Sequence, residues 1–156
     1  EPPHVQLQDL MSQPFRLRRL SEGSTVENAH RASAFWQARI LDLDACLRKT
    51  HLAGADLKFN LTLTDPIAEF LPDANSWNGL AGDYTVTLGE ESSSTSGSDA
   101  KLPTLRATVN AFTRLWLGVR PATEVTITDE LHGDDSLLQE LDAIFRLPAA
   151  KLGWYF

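Results

Sequence analysis

Four histidines, one cysteine and a few acidic side chains are the residues with which this chain could do chemistry. His4, His30, His51 and His132 fall on stretches that read as loops or helix ends, with no HxxxH or HExxH spacing, so a zinc or facial-triad metal site is not expected. Cys46 stands near a helix start, where the local field could lower a thiol pKa, but a helix-buried cysteine is the better reading. No GxSxG elbow offers a nucleophilic serine, and no GxGxxG or GxxxxGK loop offers a phosphate cradle. The serines of the run 92–96 read as a linker. Asp65 and Asp73 flank a loop and could form a carboxylate pair, although separate turn-capping roles account for both. Asn60 heads "NLT", the pattern of a glycosylation acceptor, but it lies inside an expected strand and is read as chance. Arg16, Arg18 and Arg19 could hold a phosphate; a basic run beside a strand is more often a solvated face.

What remains is aromatic: four tryptophans and seven phenylalanines. A sheet with helices laid across it can enclose an elongated apolar cavity, and Trp36, Phe59, Tyr84, Phe112, Trp116 and Phe145 are the rings that could line one. Ordinary core is the reading that the sequence alone favours for the same rings. The sequence also finishes on Trp154-Tyr155-Phe156, where polar and dispensable residues are the rule. Read from the residues alone, those rings close the hydrophobic core of their own domain.

The totals narrow the function class. A chain of 156 residues that is 42% hydrophobic has the size and apolar content of one ordinary domain. A net charge of -7 argues against broad attraction to nucleic acid or anionic lipid. No apolar run approaches the ~20 residues of a membrane helix. Cys46 has no partner for an internal disulfide, which fits a reducing, cytoplasmic setting. The opening "EPPHVQLQDL" is neither a signal nor a transit peptide, and the only methionine is Met11, so the expectation is a chain trimmed or cut from something longer.

Periodicity supplies the elements. "LQDLMSQ" suits a short helix stopped by Pro14, "FRLRRL" alternates as a half-exposed strand does, and 21–33 reads as a polar loop. "FWQARIL" (35–41) puts Trp36, Ala38 and Ile40 on one face of a strand. A helix is expected from Asp44, burying Cys46 and Leu47, with Gly54 at its C′ position. "LKFNLTLT" (57–64) alternates without a fault, Leu57, Phe59, Leu61 and Leu63 inward and Lys58, Asn60, Thr62 and Thr64 outward. Asp65-Pro66 pairs an N-cap with Pro at N1, opening a short helical turn before a long loop. Residues 83–89 form another strand, with Tyr84, Val86 and Leu88 inward. The low-complexity "EESSSTSGSDAK" has nothing to bury and reads as a mobile hairpin loop, closed by a strand at 104–109. Asn110 is placed to cap a helix carrying Phe112, Leu115, Trp116 and Val119, with Gly118 near its end. Residues 120–132 fit a strand or a helix. The last helix has Ser136 and Gln139 as a capping-box pair and Leu137, Leu138, Leu141, Ile144 and Phe145 as its stripe, and Pro148 stops it. Every strand has one apolar and one polar face. That predicts an α+β domain, a mostly antiparallel or mixed sheet of about five strands with helices packed on one face.

Five stretches together resemble a known family: "FWQARILDLDACL", "LTLTDP", "WNGLAGDYTVTLG", "AFTRLWLGVRPAT" and "LLQELDAIFRLP…WYF". They are similar to the sterol-carrier-protein-like C-terminal domain of Eis-type acetyltransferases, in which two acetyltransferase-like regions precede this domain. The likeness spans residues 35–156, with Trp36, Arg39, Ile40 and Asp42 at the positions of the family's first strand. Residues 1–34 are then an N-terminal arm, and 7–20 resemble the close of the preceding region. The resemblance implies a domain that does not catalyse acetyl transfer by itself, because the family's acetyl-CoA site lies in that preceding region. It implies an acetyltransferase partner in the same or another chain, with acetyl-CoA bound there and no cofactor here. In the family the terminal carboxylate, carried on an aromatic residue, enters the acetyltransferase cleft and takes part in proton transfer; the matching position is Phe156. Burial against rings raises a terminal carboxyl above its usual ~3.3–3.7, as a base requires. The alternative is a free-standing carrier holding a lipid or other apolar small molecule between sheet and helices. A third reading is an interaction module with an aromatic docking tail. A homo-oligomer stays open under all three.

Overall fold

A computed structural model of the chain describes residues 38–71 and 77–145. The chain divides into two units, Glu1–Gln37 and Ala38–Phe156, and every described residue belongs to the second. The elements expected before residue 38, Trp36, Asp73, Pro148 and the aromatic tail lie outside the described residues.

The unit is α+β. Five strands, β1 (Leu57–Thr64), β2 (Gly82–Leu88), β3 (Ser93–Ser96), β4 (Thr104–Thr108) and β5 (Leu131–His132), form one mixed sheet in the order β3-β2-β1-β4-β5. β1 runs antiparallel to β2 and parallel to β4; β3 and β5 pair antiparallel with β2 and β4. Register stacks the apolar residues on one face. Phe59 lies opposite Val86, Leu57 opposite Leu88, and Leu61 between Tyr84 and Leu105. Across that face lie α1 (Leu43–Leu47), α2 (Val109–Trp116), α3 (Ala122–Thr128) and α4 (Asp135–Ile144). Leu43 and Leu47, Phe112 and Leu115, Val125, and Leu137 and Leu141 join the strand residues in one buried core. The other face carries Lys58, Thr64, Asp83 and Arg106, all exposed.

Local chemistry explains most boundaries. Asp65 accepts from Ile67 N–H and starts a 3-10 helix, Pro66–Phe70, with Pro at its first turn as expected. Gly118, at φ 66, closes α2 with its N–H on Leu115 O at 2.9 Å. The ambiguous 120–132 stretch resolves into α3 followed by β5. α2 and α3 are joined by the Arg114–Asp129 ion pair. α3 and α4 are joined by Thr123, whose Oγ1 donates to Asp142 Oδ2 at 2.6 Å.

Several expectations are corrected. Residues 38–41 carry no ladder; Ile40 is still buried, and its N–H donates to Thr113 Oγ1 at 3.3 Å. Helix α1 starts from Asp42, whose side chain accepts from Ala45 N–H, and it ends at Leu47, too early for Gly54 to be its C′ residue. Cys46 is half-buried and not part of the buried core. Asn60, assigned outward to solvent, is buried (4% exposed) because the crossover loop folds over it. Its Nδ2 donates to Asp99 O at 2.8 Å and Leu102 O at 3.1 Å, and its Oδ1 accepts Asp99 N–H at 2.8 Å. The amide nitrogen is thereby engaged within the fold. The serine run is not a loop but strand β3, and 104–108 does not close a hairpin with β2 but crosses to lie parallel to β1. Helix α2 is capped by Thr108 in place of Asn110, and α4 by Asp134 without a side-chain bond, so no Ser136–Gln139 box forms.

Candidate functional site

Asp65 is the polar centre of the described fold. It leaves the end of β1 at the point where the strand must turn, and its side chain is fully covered. Oδ1 accepts Ile67 N–H at 3.1 Å and Oδ2 accepts Leu80 N–H at 2.8 Å. The Arg39 guanidinium closes on Oδ2 from the segment before α1, and lies 5.7 Å from the centre of the Trp77 ring. Tyr84, from β2, donates its hydroxyl to Leu80 O at 3.1 Å. Gly79 has no choice of residue: at φ 86, a Cβ there would stand 2.6 Å from Asp65 Oδ2. Three separated stretches, Arg39, Asp65–Ile67 and Gly79–Leu80, therefore meet at one carboxylate, and Tyr84 fastens the third of them.

The electrostatics follow from that geometry. Burial by itself raises the Asp65 carboxyl, but the Leu80 N–H, the Arg39 guanidinium and the Ile67 N–H together outweigh it and hold it below the ordinary carboxylate value. Tyr84 moves the other way, raised by burial first and by the Asp65 charge second. An ionised carboxylate with its oxygens engaged is a fastener, not a proton shuttle at neutral pH. Sequence reading found Asp65 as a turn cap and missed the cluster. The signal was present, because Arg39, "LTLTDP", "WNGLAG" and Tyr84 were the stretches that carried the family resemblance.

The structure places five of the expected cavity rings. Phe59, Phe112 and Phe145 lie inside the core, and Tyr84 and Trp116 pack against it. Trp116 keeps a polar handle, its Nε1–H donating to Thr50 Oγ1 at 2.8 Å. Trp36 and Phe156 lie outside the described residues. A groove of about 360 Å³ is lined by His51, Leu52, Ala53, Gly54, Ala55, Ala143 and Ile144, and none of the five described rings is among its lining residues. His51 is tied there through Nδ1 to Glu90 O at 2.7 Å. The Cys46 thiol is raised by burial and then by the Asp42 charge, which keeps it a weak nucleophile. Among the described residues no three His, Cys, Asp or Glu side chains gather as a metal site, and no helix is long and apolar enough to cross a membrane.

Comparison with known proteins gives a family and a fold. Residues 43–152 match the family model described as "Sterol carrier protein domain". No curated protein matches the chain. Among solved structures, a GCN5-related N-acetyltransferase from Anabaena variabilis superposes with a TM-score of 0.56 at 16% identity, over 71% of this chain and 26% of that one. One from Kribbella flavida gives 0.57 at 18%, over 71% and 26%. A conserved protein of unknown function from Enterococcus faecalis, described as a probable N-acyltransferase, gives 0.51 at 26%, over 71% and 25%. The chain thus spans about a quarter of the length of each, and at such identities the likeness is one of fold.

Proposed function

Because the chain belongs to the sterol carrier protein domain family, we propose that it is the accessory domain of a longer N-acetyltransferase of the Eis type. In this reading it braces the acetyltransferase region and does not carry out the reaction within its own interior. The observation that supports it best is the Asp65 cluster, where the one carboxylate sunk into the described fold is committed to holding loops together. The named neighbours, two of them N-acetyltransferases about four times the length of the shared fold, point the same way. Acetyl-CoA and the acceptor amine are then bound by the acetyltransferase region, and Phe156 offers its carboxylate to that region's cleft as an acid–base group.

The test is acetyl transfer from acetyl-CoA to a primary amine, read as release of free thiol. The 156-residue chain should be inert, whereas the longer protein containing it should be active. Deleting Phe156 from the longer protein should lower kcat by about 100-fold or more, with the melting temperature unchanged. Turnover by the isolated chain would overturn the accessory role. Full activity after the deletion would overturn only the carboxylate's part. Recovery of lipid from an organic extract of the purified chain would favour the carrier instead.

A further inference from the structure

β3 is one of the two edge strands of the described sheet, and nothing in its own sequence protects it. Ser93–Ser96 holds no charged residue and no proline, the devices by which natural edge strands discourage a second strand from adding. The register decides which of its backbone groups are open. Gly97 N–H donates to Asp83 O at 2.8 Å, so by the alternation of an antiparallel ladder Thr95 and Ser93 face β2, while the amides of Ser94 and Ser96 point away. One of those outward donors is taken. Asp44, from α1, accepts the Ser94 N–H through Oδ1 at 3.1 Å, and Arg48 pairs with its Oδ2. This is not a by-product of capping, since Asp42 fills the N-cap of α1 through its bond to Ala45 N–H at 3.0 Å.

We propose that Asp44 is an edge guard, a carboxylate that occupies the Ser94 donor and so keeps β3 from pairing antiparallel with β3 of a second copy. The occupant it excludes is a second copy because the strand is self-complementary. Two such strands would meet with only small hydroxyl side chains between them, and no charge of the strand itself would oppose the contact. The guard supplies that opposition by removing the Ser94 donor, and Arg48 holds its carboxylate in place. The serine run, exposed at Thr95 and Ser96 and half-buried at Ser93 and Ser94, is then a pairing surface held shut from the helical side.

Sedimentation of the 156-residue chain over a wide concentration range tests this. Asp44→Ala should self-associate at least ten times more tightly than the parent. Adding Ser94→Pro should cure it, because the lost N–H faces outward and the pairing with β2 is untouched. In the associated variant the Ser96 amide should gain hydrogen-exchange protection that rises with concentration. Asp44→Asn, which keeps the side chain's shape, should shift in the same direction more weakly and covers the case in which alanine costs the fold. Parent-like sedimentation of both variants, or association that Ser94→Pro leaves intact, overturns the proposal.

Discussion

Replacing Asp65 by asparagine exchanges one oxygen for an amide nitrogen and should cost the domain about 3 kcal/mol. The magnitude comes from counting donors. The side chain is fully covered and faces Ile67 N–H, Leu80 N–H and the Arg39 guanidinium. Asparagine brings one oxygen. If that oxygen keeps Ile67, the new NH2 points at Leu80 N–H and Arg39, donors against a donor, and Arg39 loses its counter-charge. Removing one partner of a buried pair costs ~3–5 kcal/mol. The Arg39 side chain keeps 24% exposure, so water takes up part of the loss and the low end applies. For a chain of this size that is a fall of roughly 6–12 °C in Tm. Urea unfolding at pH 7, followed by tryptophan fluorescence and far-UV circular dichroism, reads it directly. The cycle with Arg39→Met should show the double variant losing less than the sum of the singles. The acid limb gives a second reading. The folded carboxyl lies below its ordinary value, so its contribution is present above about pH 4 and is lost as pH falls through the folded value. The parent should therefore lose stability below about pH 4 more steeply than Asp65→Asn. A change under about 0.5 kcal/mol at pH 7, within the range of an ordinary surface substitution, would refute the reasoning.

Gly79→Ala should destabilise by about 2 kcal/mol or more, since a methyl would stand 2.6 Å from Asp65 Oδ2 on a backbone at φ 86; equilibrium melts check it. Asn60→Ala removes the side chain that binds Asp99 and Leu102, and should cost about 2–3 kcal/mol. Hydrogen exchange at Asp99 should quicken, showing that the loss lies in the crossover loop. Phe59→Ala empties the centre of the core, where the ring is 0% exposed, and should cost about 3–5 kcal/mol. Trp116→Phe should cost only about 1 kcal/mol, by losing the bond to Thr50, and the comparison separates ring packing from its polar handle.

The sequence by itself determined the elements whose information is local. The alternation of Leu57, Phe59, Leu61 and Leu63 settles β1 and its buried face, because period 2 admits one pleated solution. Asp65-Pro66 settles a helical start, because a fixed φ and a side-chain acceptor act on the next two residues. The stripe Leu137, Leu138 and Leu141 settles α4, and together with the one-sided strands it gives the α+β class.

Tertiary structure decided what no neighbouring residue encodes. Ser93–Ser96 has no hydrophobic face, so only the backbone donors and acceptors of β2 could make it a strand. β4 has the same alternation whether it joins β2 or β1, and the parallel choice was made by the crossover pinned on Asn60. Thr108 displaced Asn110 as the cap of α2 because the register of β4 fixed where the chain could turn. Asp65 could be read as a cap but not as the meeting point of Arg39, Leu80 and Ile67. Side-chain type shows what a residue can bond; only the closed sheet brings Arg39 and the Leu80 N–H to the carboxylate that Ile67 N–H already caps.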